Sequence, residues 1–318
     1  MSKPFIIAEV GSNFDQSLNK AKKYIEVSKK SGANAVKFQL FSGKVLYPNN
    51  LKMQKIFELI ELRLDWIEKL LRHANKTKIK IIFSCFDNFR QKIINEKGIV
   101  MHKIASSEIS NFDLFTLLNK KKYKVFLSTG MSDLDDIKIA YKKLNKCELV
   151  IMQCTSLYPT NENDVNLNVI NTFKKNFKKA QLGLSDHTTS DVAAIASVGM
   201  GVRYFEKHIT LNKNSNGPDH FYAYEPLEFA KYVENINNAY KCLGSNIKTI
   251  NPSVRKVARL TGVYSNTALE KGKILKKNDI ILKSPAIGVR EKEINLILGK
   301  KLKFNIKKNK PLKFNYFI

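Results

Sequence analysis

The chain has few cysteines and no pattern that would pair them. Cys85, Cys147, Cys154 and Cys242 are the four in 318 residues, and none belongs to a CxxC or CxxH spacing. Disulfide frameworks need such spacings and form in oxidising compartments. We therefore interpret all four as reduced thiols of a cytoplasmic protein, with Cys85 near a strand end and the other three packed in the core.

Arginine is scarce, although the chain is strongly basic. The formal net charge is +27, and only seven of the 55 cationic side chains are arginines. Arginine is the preferred reader of bases and phosphates, whereas scattered lysines are typical of a solvated surface. Nucleic-acid binding is thus a minor alternative, and we expect the charge to attract anionic small substrates instead.

Long apolar runs are also missing. No stretch is long enough to cross a bilayer, and Met1-Ser2-Lys3-Pro4 leads into a strand-like run without the pattern of a cleavable signal. We expect a protein without membrane segments that works in the cytoplasm.

A Gly-rich phosphate loop does not follow the first strand-like run. A doubly wound nucleotide-binding sheet usually carries one there, and Glu9-Val10-Gly11-Ser12-Asn13 does not match it. Up to about residue 243, apolar runs alternate instead with amphipathic segments, several of which open with an Asp or Asn cap. The predicted strands are Phe5–Val10, Ala35–Leu40, Ile79–Ser84, His102–Ala105, Lys124–Ser128, Leu149–Cys154, Gln181–Leu184 and Val202–His208. The clearest helical segments are Leu18–Lys30, Asp65–Ala74, Asp133–Leu144 and Asp191–Gly199. Eight such units predict an α/β fold, the (β/α)8 TIM barrel.

The composition changes after residue 250. Asn251-Pro252 marks a linker, and short β-like runs with turns follow. Leu269–Asn278 resembles Ile306–Asn315, with Gly272 and Asn309 at equivalent places, and both residues tolerate left-handed turns. We predict a barrel over residues 1–248, a linker over 249–256 and a small, β-rich, pseudo-symmetric domain over 257–318.

Polar side chains follow the predicted strands, where TIM barrels build their active sites. These strand ends carry Glu9, Lys37, Gln39, Ser84, Lys103, Ser106, Ser128, Thr129, Thr155, Tyr158, Ser185, Asp186, His187, Glu206 and His208. Histidines at two successive strand ends, His187 and His208, suit a first-row divalent metal with open positions for water or substrate. Two satisfied core histidines are the alternative.

Lys37 and Lys103 stand inside otherwise apolar runs. A buried lysine needs an anionic partner, and a substrate phosphate or carboxylate would supply one. An internal ion pair with Glu9 or Glu206 is the alternative for either lysine. Together with the histidines and hydroxyls, the lysines predict a phosphorylated, carboxylated substrate beside a divalent cation.

Eight segments, in order, resemble the sialic acid (N-acetylneuraminate) synthase family. They are Ile6–Asn13, Ala35–Gln39, Lys103–Ser106, Leu127–Met131, Cys154–Pro159, Gly183–His187, Glu206–His208 and Gly217–Asp219. The C-terminal tail resembles that family's antifreeze-like (SAF) domain. The resemblance covers nearly the whole chain and is specific for the family, though not for a substrate.

The resemblance implies condensation of phosphoenolpyruvate with the open-chain aldehyde of an N-acylated hexose, giving a nine-carbon 2-keto acid and phosphate. It implies that His187 and His208 bind Mn²⁺, with Mg²⁺ or Co²⁺ as alternatives, and that this ion polarises the aldehyde oxygen. The positions matched to phosphoenolpyruvate are Lys37, Gln39, Ser84, Lys103, Ser106, Ser156 and Ser185.

The resemblance also assigns the remaining roles. Glu9 joins Lys37, His187 and His208 as a catalytic residue, and would steady positive charge at carbon 2 or manage the proton of the attacking water. Sugar-contacting positions match Tyr158, Asp219 and Ser284. The small domain is expected to cover the barrel mouth of the other subunit in a domain-swapped homodimer.

Four positions depart from the family pattern. Phe14 and Gln153 stand where many members have histidine, and the run around Cys85 is one residue shorter than usual. Ser284 precedes Pro285 where members that use N-acetylmannosamine carry an arginine. Because that arginine reaches the sugar's acyl group, we expect a differently substituted sugar, such as a diacetamido 6-deoxy hexose.

Two other functions stay open at this point. A barrel aldolase or another 2-keto acid synthase would use a Schiff-base lysine or a different metal set. If the chain were a basic nucleic-acid-binding protein, the polar side chains at the strand ends would have no function.

Overall fold

The computed structural model describes residues 3–251, 253–254 and 260–318. Contacts divide the chain after Gly244 into two units, and each unit has its own apolar core. The predicted linker and the start of the small domain fall partly outside the described residues, so their boundaries stay predictions. No helix among the described residues is long and apolar enough to cross a membrane.

The first unit is a closed barrel of eight parallel strands. The strands are β1 (Phe5–Gly11), β2 (Ala35–Leu40), β3 (Lys80–Cys85), β4 (Met101–Ile104), β5 (Lys124–Ser128), β6 (Glu148–Cys154), β7 (Gln181–Asp186) and β8 (Tyr204–His208). β1 closes the barrel on β8, with Glu9 opposite His208. The (β/α)8 prediction is confirmed, and each predicted strand boundary lies within two residues of the observed one.

Helices surround this barrel. In the described part of the unit they are α1 (Leu18–Lys30), α2 (Gly43–Leu46), α3 (Leu51–Glu58), α4 (Ile67–Thr77), α5 (Asn88–Glu96), α6 (Phe112–Leu118), α7 (Leu134–Lys143), α8 (Val169–Asn176), α9 (Val192–Gly199) and α10 (Pro226–Cys242). α1 has the predicted bounds, and the Ser17 side chain accepts a hydrogen bond from the backbone N–H of Lys20 at its start. The segment predicted as Asp65–Ala74 is a 3-10 turn, Leu64–Trp66, that continues into α4.

An apolar layer fills the barrel beneath the strand ends. Its members are Ile7, Ala35, Ile82, Met101, Phe126, Val150, Met152 and Tyr204. Alternate residues of a strand face the same side, so Ile7 and Ala35 share a face with Glu9 and Lys37, which come two positions later. The apolar layer therefore separates the polar C-terminal end of the barrel interior from its N-terminal end.

The second unit is β-rich, as predicted. β9 (Gly262–Ser265) pairs antiparallel with β10 (Ile280–Lys283), and a further antiparallel bridge joins Leu269 to Ile306. This bridge connects the two segments that resemble each other. Gly272 (φ +83°) and Asn309 (φ +63°) both adopt the left-handed conformation expected of them.

The four cysteines are free. Cys85 is buried at the end of β3, as predicted. Cys242 is exposed, so the prediction that it packs in the core is wrong, whereas Cys147 is half-buried and packs against the apolar core. Each follows or ends a helix at the surface, where the sequence pattern alone does not show which side faces the barrel.

Candidate active site

A small polar cavity lies at the C-terminal ends of the strands. Its volume is about 50 Å³, and all eight strands or the segments directly after them contribute side chains. The lining residues are Glu9, Lys37, Gln39, Ser84, Lys103, Ala105, Ser106, Ser128, Cys154, Tyr158, Ser185, His187, Glu206 and His208. Ten of the thirteen residues predicted for the site thus meet in one place.

Two lysines and two glutamates form one buried network in this cavity. Lys37 Nζ lies 3.2 Å from Glu9 Oε2 and 3.3 Å from Glu206 Oε1. Lys103 Nζ lies 2.6 Å from Glu206 Oε1. The internal ion pairs that the sequence left open therefore exist, and both lysines are held with their ammonium groups toward the same carboxylate.

The two glutamates differ in charge. Burial raises the pKa of Glu9 to about 7, although Lys37 opposes this rise. Burial also acts to raise the pKa of Glu206, but Lys103 and Lys37 lower it more, so its pKa falls below the ordinary range. Two lysine side chains therefore face one full negative charge and one carboxyl that titrates near neutrality. This charge balance favours the binding of an anion.

Hydroxyl and amide groups complete the surroundings of this network. Lys37 Nζ donates to Ser84 Oγ at 3.0 Å, and Ser185 Oγ donates to Glu206 Oε1 at 3.1 Å. Gln39 Nε2 donates to Glu9 Oε1 at 2.9 Å. Ser128 Oγ and Glu206 Oε2 are buried without a hydrogen-bond partner among the described residues. Such atoms are costly unless a ligand or water satisfies them.

His187 and His208 each contact a neighbouring group through ring nitrogen Nδ1. His187 Nδ1 lies 2.8 Å from the Thr155 carbonyl oxygen, and His208 Nδ1 lies 3.4 Å from the Tyr222 hydroxyl. In the described residues no hydrogen bond involves either Nε2. An imidazole that donates through Nδ1 keeps a lone pair on Nε2, which is the usual arrangement of a metal-binding histidine.

The spacing of the two rings also fits one ion. Their centroids are 5.6 Å apart. Two imidazoles that hold their nitrogens about 2 Å from one ion have centroids roughly 5 Å apart. Burial lowers the pKa of His208 to about 3, so its ring is neutral, as a ligand must be. Burial also acts to lower the pKa of His187, but the neighbouring Cys154 raises it above the ordinary value. No group of three or more His, Cys, Asp and Glu side chains suited to a metal occurs in the described residues.

Tyr158 and Asp219 lie around the histidines. The Tyr158 ring is 4.2 Å from that of His187, and the residue is 46% exposed, which places it at the mouth of the cavity. Asp219 does not line the cavity but acts on it through Tyr222, whose hydroxyl donates to Asp219 Oδ1 at 2.8 Å. Gly11 (φ +56°) allows this approach, because a Cβ there would lie 2.5 Å from Asp219 Oδ2.

Comparison with known proteins assigns the chain to a family. Residues 24–248 match the model of the NeuB family, and residues 261–317 match the SAF domain. The chain belongs to the NeuB family. The resemblance found in its motifs is thereby confirmed, as is the SAF type of the small domain.

Two relatives of this NeuB-family chain match it over almost its full length. The N,N'-diacetyllegionaminic acid synthase of Campylobacter jejuni is 33% identical, over 98% of this chain and 100% of its own. The human N-acetylneuraminate-9-phosphate synthase is 31% identical, over 94% and 88%. The crystal structure of the N-acetylneuraminic acid (sialic acid) synthetase of Leptospira borgpetersenii, in complex with citrate, is 28% identical, covers 80% of this chain and 90% of its own, and superimposes with a TM-score of 0.75.

Two other predicted residues lie outside the cavity lining. Ser156 stands beside Gly130, where a Cβ would come within 2.5 Å of Ser156 Oγ. Ser284 is exposed in the second unit. Their assignment to phosphoenolpyruvate and sugar stays a prediction.

Three departures from the family pattern also lie outside the cavity lining. The buried Phe14 ring packs against Phe38 and Trp66, at 6.4 and 6.2 Å. Gln153 Nε2 donates to the Val165 carbonyl oxygen at 2.9 Å. Cys85 is buried on β3. These three side chains therefore pack around the cavity and do not line it.

Sequence reasoning missed four residues of the site. Glu206, Ser128 and Cys154 line the cavity, and Tyr222 contacts His208. Ser128 was noted at a strand end but not assigned. Glu206 was considered only as an ion-pair partner of the lysines, although alternation along β8 places it on the same side as His208. Cys154 is buried, as predicted, but it also belongs to the cavity wall. Its sulfur lies 3.9 Å from His187 Nδ1, and His187 offsets the effect of burial and lowers the thiol pKa to about 7. Tyr222 carried no signal in the sequence.

Proposed function

We propose that this protein condenses phosphoenolpyruvate with an N-acylated hexose to form a sialic-acid-like nine-carbon 2-keto acid and phosphate. The observation that carries the proposal is the single cavity in which two buried lysines and several hydroxyls adjoin Glu9 and a histidine pair. The named synthases that match nearly the whole chain support the same reaction class.

Lys37 and Lys103 would bind the phosphate and carboxylate of phosphoenolpyruvate. Their ammonium groups are fixed by Glu9 and Glu206, and the hydroxyls of Ser84, Ser106 and Ser185 lie in the same lining. Charge-assisted hydrogen bonds from such preorganised donors are the strong ones. Burial acts to lower the pKa of Lys37, but Glu206 and Glu9 raise it above the ordinary value. Burial lowers the pKa of Lys103 below its ordinary value, although Glu206 opposes this shift. A protonated Lys37 is a poor Schiff-base nucleophile, which speaks against an aldolase that uses this lysine.

His187 and His208 would hold a divalent ion, with Mn²⁺ as our first choice and Mg²⁺ or Co²⁺ as alternatives. Bound there, the ion would supply Lewis acidity to the aldehyde oxygen of the sugar. The carbonyl of Thr155 and the hydroxyl of Tyr222 hold the two rings in the tautomer that this role needs.

Glu9 would act on the second half of the reaction. After carbon 3 of phosphoenolpyruvate forms the new bond to the aldehyde carbon, carbon 2 carries positive character. The Glu9 carboxylate stabilises that charge and accepts a proton from the water that adds to carbon 2. The adduct then loses phosphate by cleavage of its bond to carbon 2, which leaves the ketone. A pKa near 7 suits a group that must take up and release one proton.

The sugar is proposed to be a diacetamido 6-deoxy hexose rather than N-acetylmannosamine. Ser284 stands where an arginine would contact the acyl group, and a diacetyllegionaminic acid synthase is among the relatives covered over their full length. We also propose a domain-swapped homodimer that works in the cytoplasm, where the exposed thiol of Cys242 would stay reduced.

Phosphate release tests the proposal directly. The enzyme would be incubated with phosphoenolpyruvate, Mn²⁺ and a panel of aldehyde sugars that includes N-acetylmannosamine and diacetamido 6-deoxy hexoses. We expect release with an N-acylated sugar and none after chelation. Borohydride trapping of substrate on Lys37 or Lys103, with activity that ignores chelators, would establish an aldolase instead.

A further inference from the structure

A second buried ion pair lies directly behind the two histidines. Asp186 precedes His187 and Lys207 precedes His208, and Asp186 stands opposite Lys207 across β7 and β8. Successive residues of a strand face opposite sides, so the histidines line the cavity while Asp186 and Lys207 point away from it. Lys207 Nζ and Asp186 Oδ2 meet there at 3.0 Å, next to the Tyr232 hydroxyl of α10.

The pair is fully enclosed and fully hydrogen-bonded. Asp186 and Lys207 are at most 3% exposed. Asp186 Oδ1 accepts hydrogen bonds from the backbone N–H and the hydroxyl of Thr188, at 2.9 and 2.8 Å. Lys207 Nζ donates to the Thr188 carbonyl oxygen and lies 4.5 Å from the centre of the Tyr224 ring. These short contacts hold both side chains in a single conformation.

These contacts hold the backbone on the far side of both histidines. Thr188 directly follows His187, and the His187 carbonyl oxygen accepts from the Thr160 N–H at 2.9 Å. The Tyr224 N–H donates to the His208 carbonyl oxygen at 3.0 Å, while the Tyr224 ring contacts the Lys207 ammonium. A shift of the ion pair would therefore move the backbone that carries each imidazole.

Stability alone does not explain such a pair. Desolvation of two charges offsets most of their attraction, and apolar residues of similar size often stabilise a fold as well or better. Buried ionic pairs are best attested where they set a register. We propose that Asp186 and Lys207 are positioning residues that set the spacing of the two histidine rings and so the affinity for the divalent ion. The inference rests on the proposed metal role of His187 and His208.

A charge-neutral double variant separates positioning from folding. Asp186→Asn combined with Lys207→Met removes both charges, so neither is left buried without a partner. The measurements are the melting temperature of the metal-free protein, the Kd for Mn²⁺ by titration calorimetry, and the visible spectrum of the Co²⁺ complex. We expect a folded protein, a Kd raised about 10- to 100-fold and an altered Co²⁺ spectrum.

The matched control removes an exposed pair on the same helix as Tyr232. Lys231 and Glu234 lie 2.9 Å apart on α10, both more than half exposed, and Lys231→Met with Glu234→Gln should leave the Kd and spectrum unchanged. Should the double variant not fold, Lys207→Arg decides, because it keeps the charge and alters the geometry. A folded variant with the wild-type Kd and spectrum would overturn the positioning role, whereas a wild-type protein that binds neither ion would overturn the metal site as well.

Discussion

At the scale of single residues, the histidine pair carries the most specific prediction. His208→Ala should lower kcat roughly 100-fold or more, because the ion that stabilises the developing oxyanion would lose a ligand. The imidazole belongs to the cavity rather than to the core between strands and helices, so the far-UV circular dichroism and melting temperature should change little. Full activity of the wild-type enzyme in a chelated, metal-free preparation would show that the histidines have another role.

The lysines make a second prediction at this scale. Lys37→Met and Lys103→Met should each raise KM for phosphoenolpyruvate, by the equivalent of about 1.5–3 kcal/mol, because a charge-assisted hydrogen bond to the substrate is lost. Lys124→Met is the matched control. Lys124 is the first residue of β5, where it pairs with Glu148 at 2.8 Å, so it lies at the opposite end of the strand from the cavity. An unchanged KM in both site variants, with a lowered melting temperature, would show that the lysines serve only as partners in internal ion pairs.

Glu9 makes a prediction about pH. Its pKa is raised to about 7, chiefly by burial, so the carboxyl is protonated at pH 5.5 and ionised above pH 8. Carbon-13 NMR of glutamate-labelled enzyme should show one carboxyl resonance that titrates near pH 7 and disappears in Glu9→Gln. We expect Glu9→Gln to lose about 100-fold in kcat, the lower range for a general acid or base. If the resonance titrated near pH 4.5 instead, Glu9 would be a permanent anion.

At the scale of elements, the turn after β1 decides the geometry around His208. Gly11 needs its left-handed φ, and its missing Cβ admits Asp219, which holds Tyr222 against His208. Gly11→Ala should therefore lower kcat about tenfold and also destabilise the fold by about 1–2 kcal/mol, the strain of a side chain in that conformation.

Gly98→Ala is the control that measures the effect of backbone strain alone. Gly98 has φ +75° and nothing within 4 Å of a Cβ, so its substitution should cost stability alone. Kinetics and thermal unfolding of both variants would be compared with those of the wild type. Equal kcat for the two variants would show that the turn after β1 does not position Asp219 for catalysis.

At the scale of the whole molecule, a truncation tests whether the small unit acts as a lid, that is, whether it covers the barrel mouth of the other subunit. Its core contains few residues, and a β unit of this size gains little stability alone, so we expect it to pack on another surface. A chain that ends at Lys248 should fold as a barrel and bind Mn²⁺, yet lose condensation, because stray water would reach the reactive carbon 2. Circular dichroism, sedimentation and phosphate release check the three parts. An active truncated monomer would contradict both the lid and the dimer.

Local pattern was enough to predict the strands of the barrel. Alternation and apolar runs report which residues can form a strand, so all eight strands and the two histidines at their ends were found from the chain alone. Strand order and barrel closure followed from the repeat of the units, and the left-handed turns at Gly272 and Asn309 followed from residue type.

Only the tertiary structure decided which side chains meet. Lys37, Lys103 and Glu206 come from β2, β4 and β8, and their distances depend on the closure of β1 on β8 and on the register of every strand between. The same holds for Cys154, which enters the cavity wall, and for Ser156, which lies beside Gly130. The amino-acid sequence determines the periodicity of each segment, which is a property of neighbouring residues. The direction and partners of a side chain at a strand end depend on residues about 200 positions away, because the barrel forms only when distant strands pair.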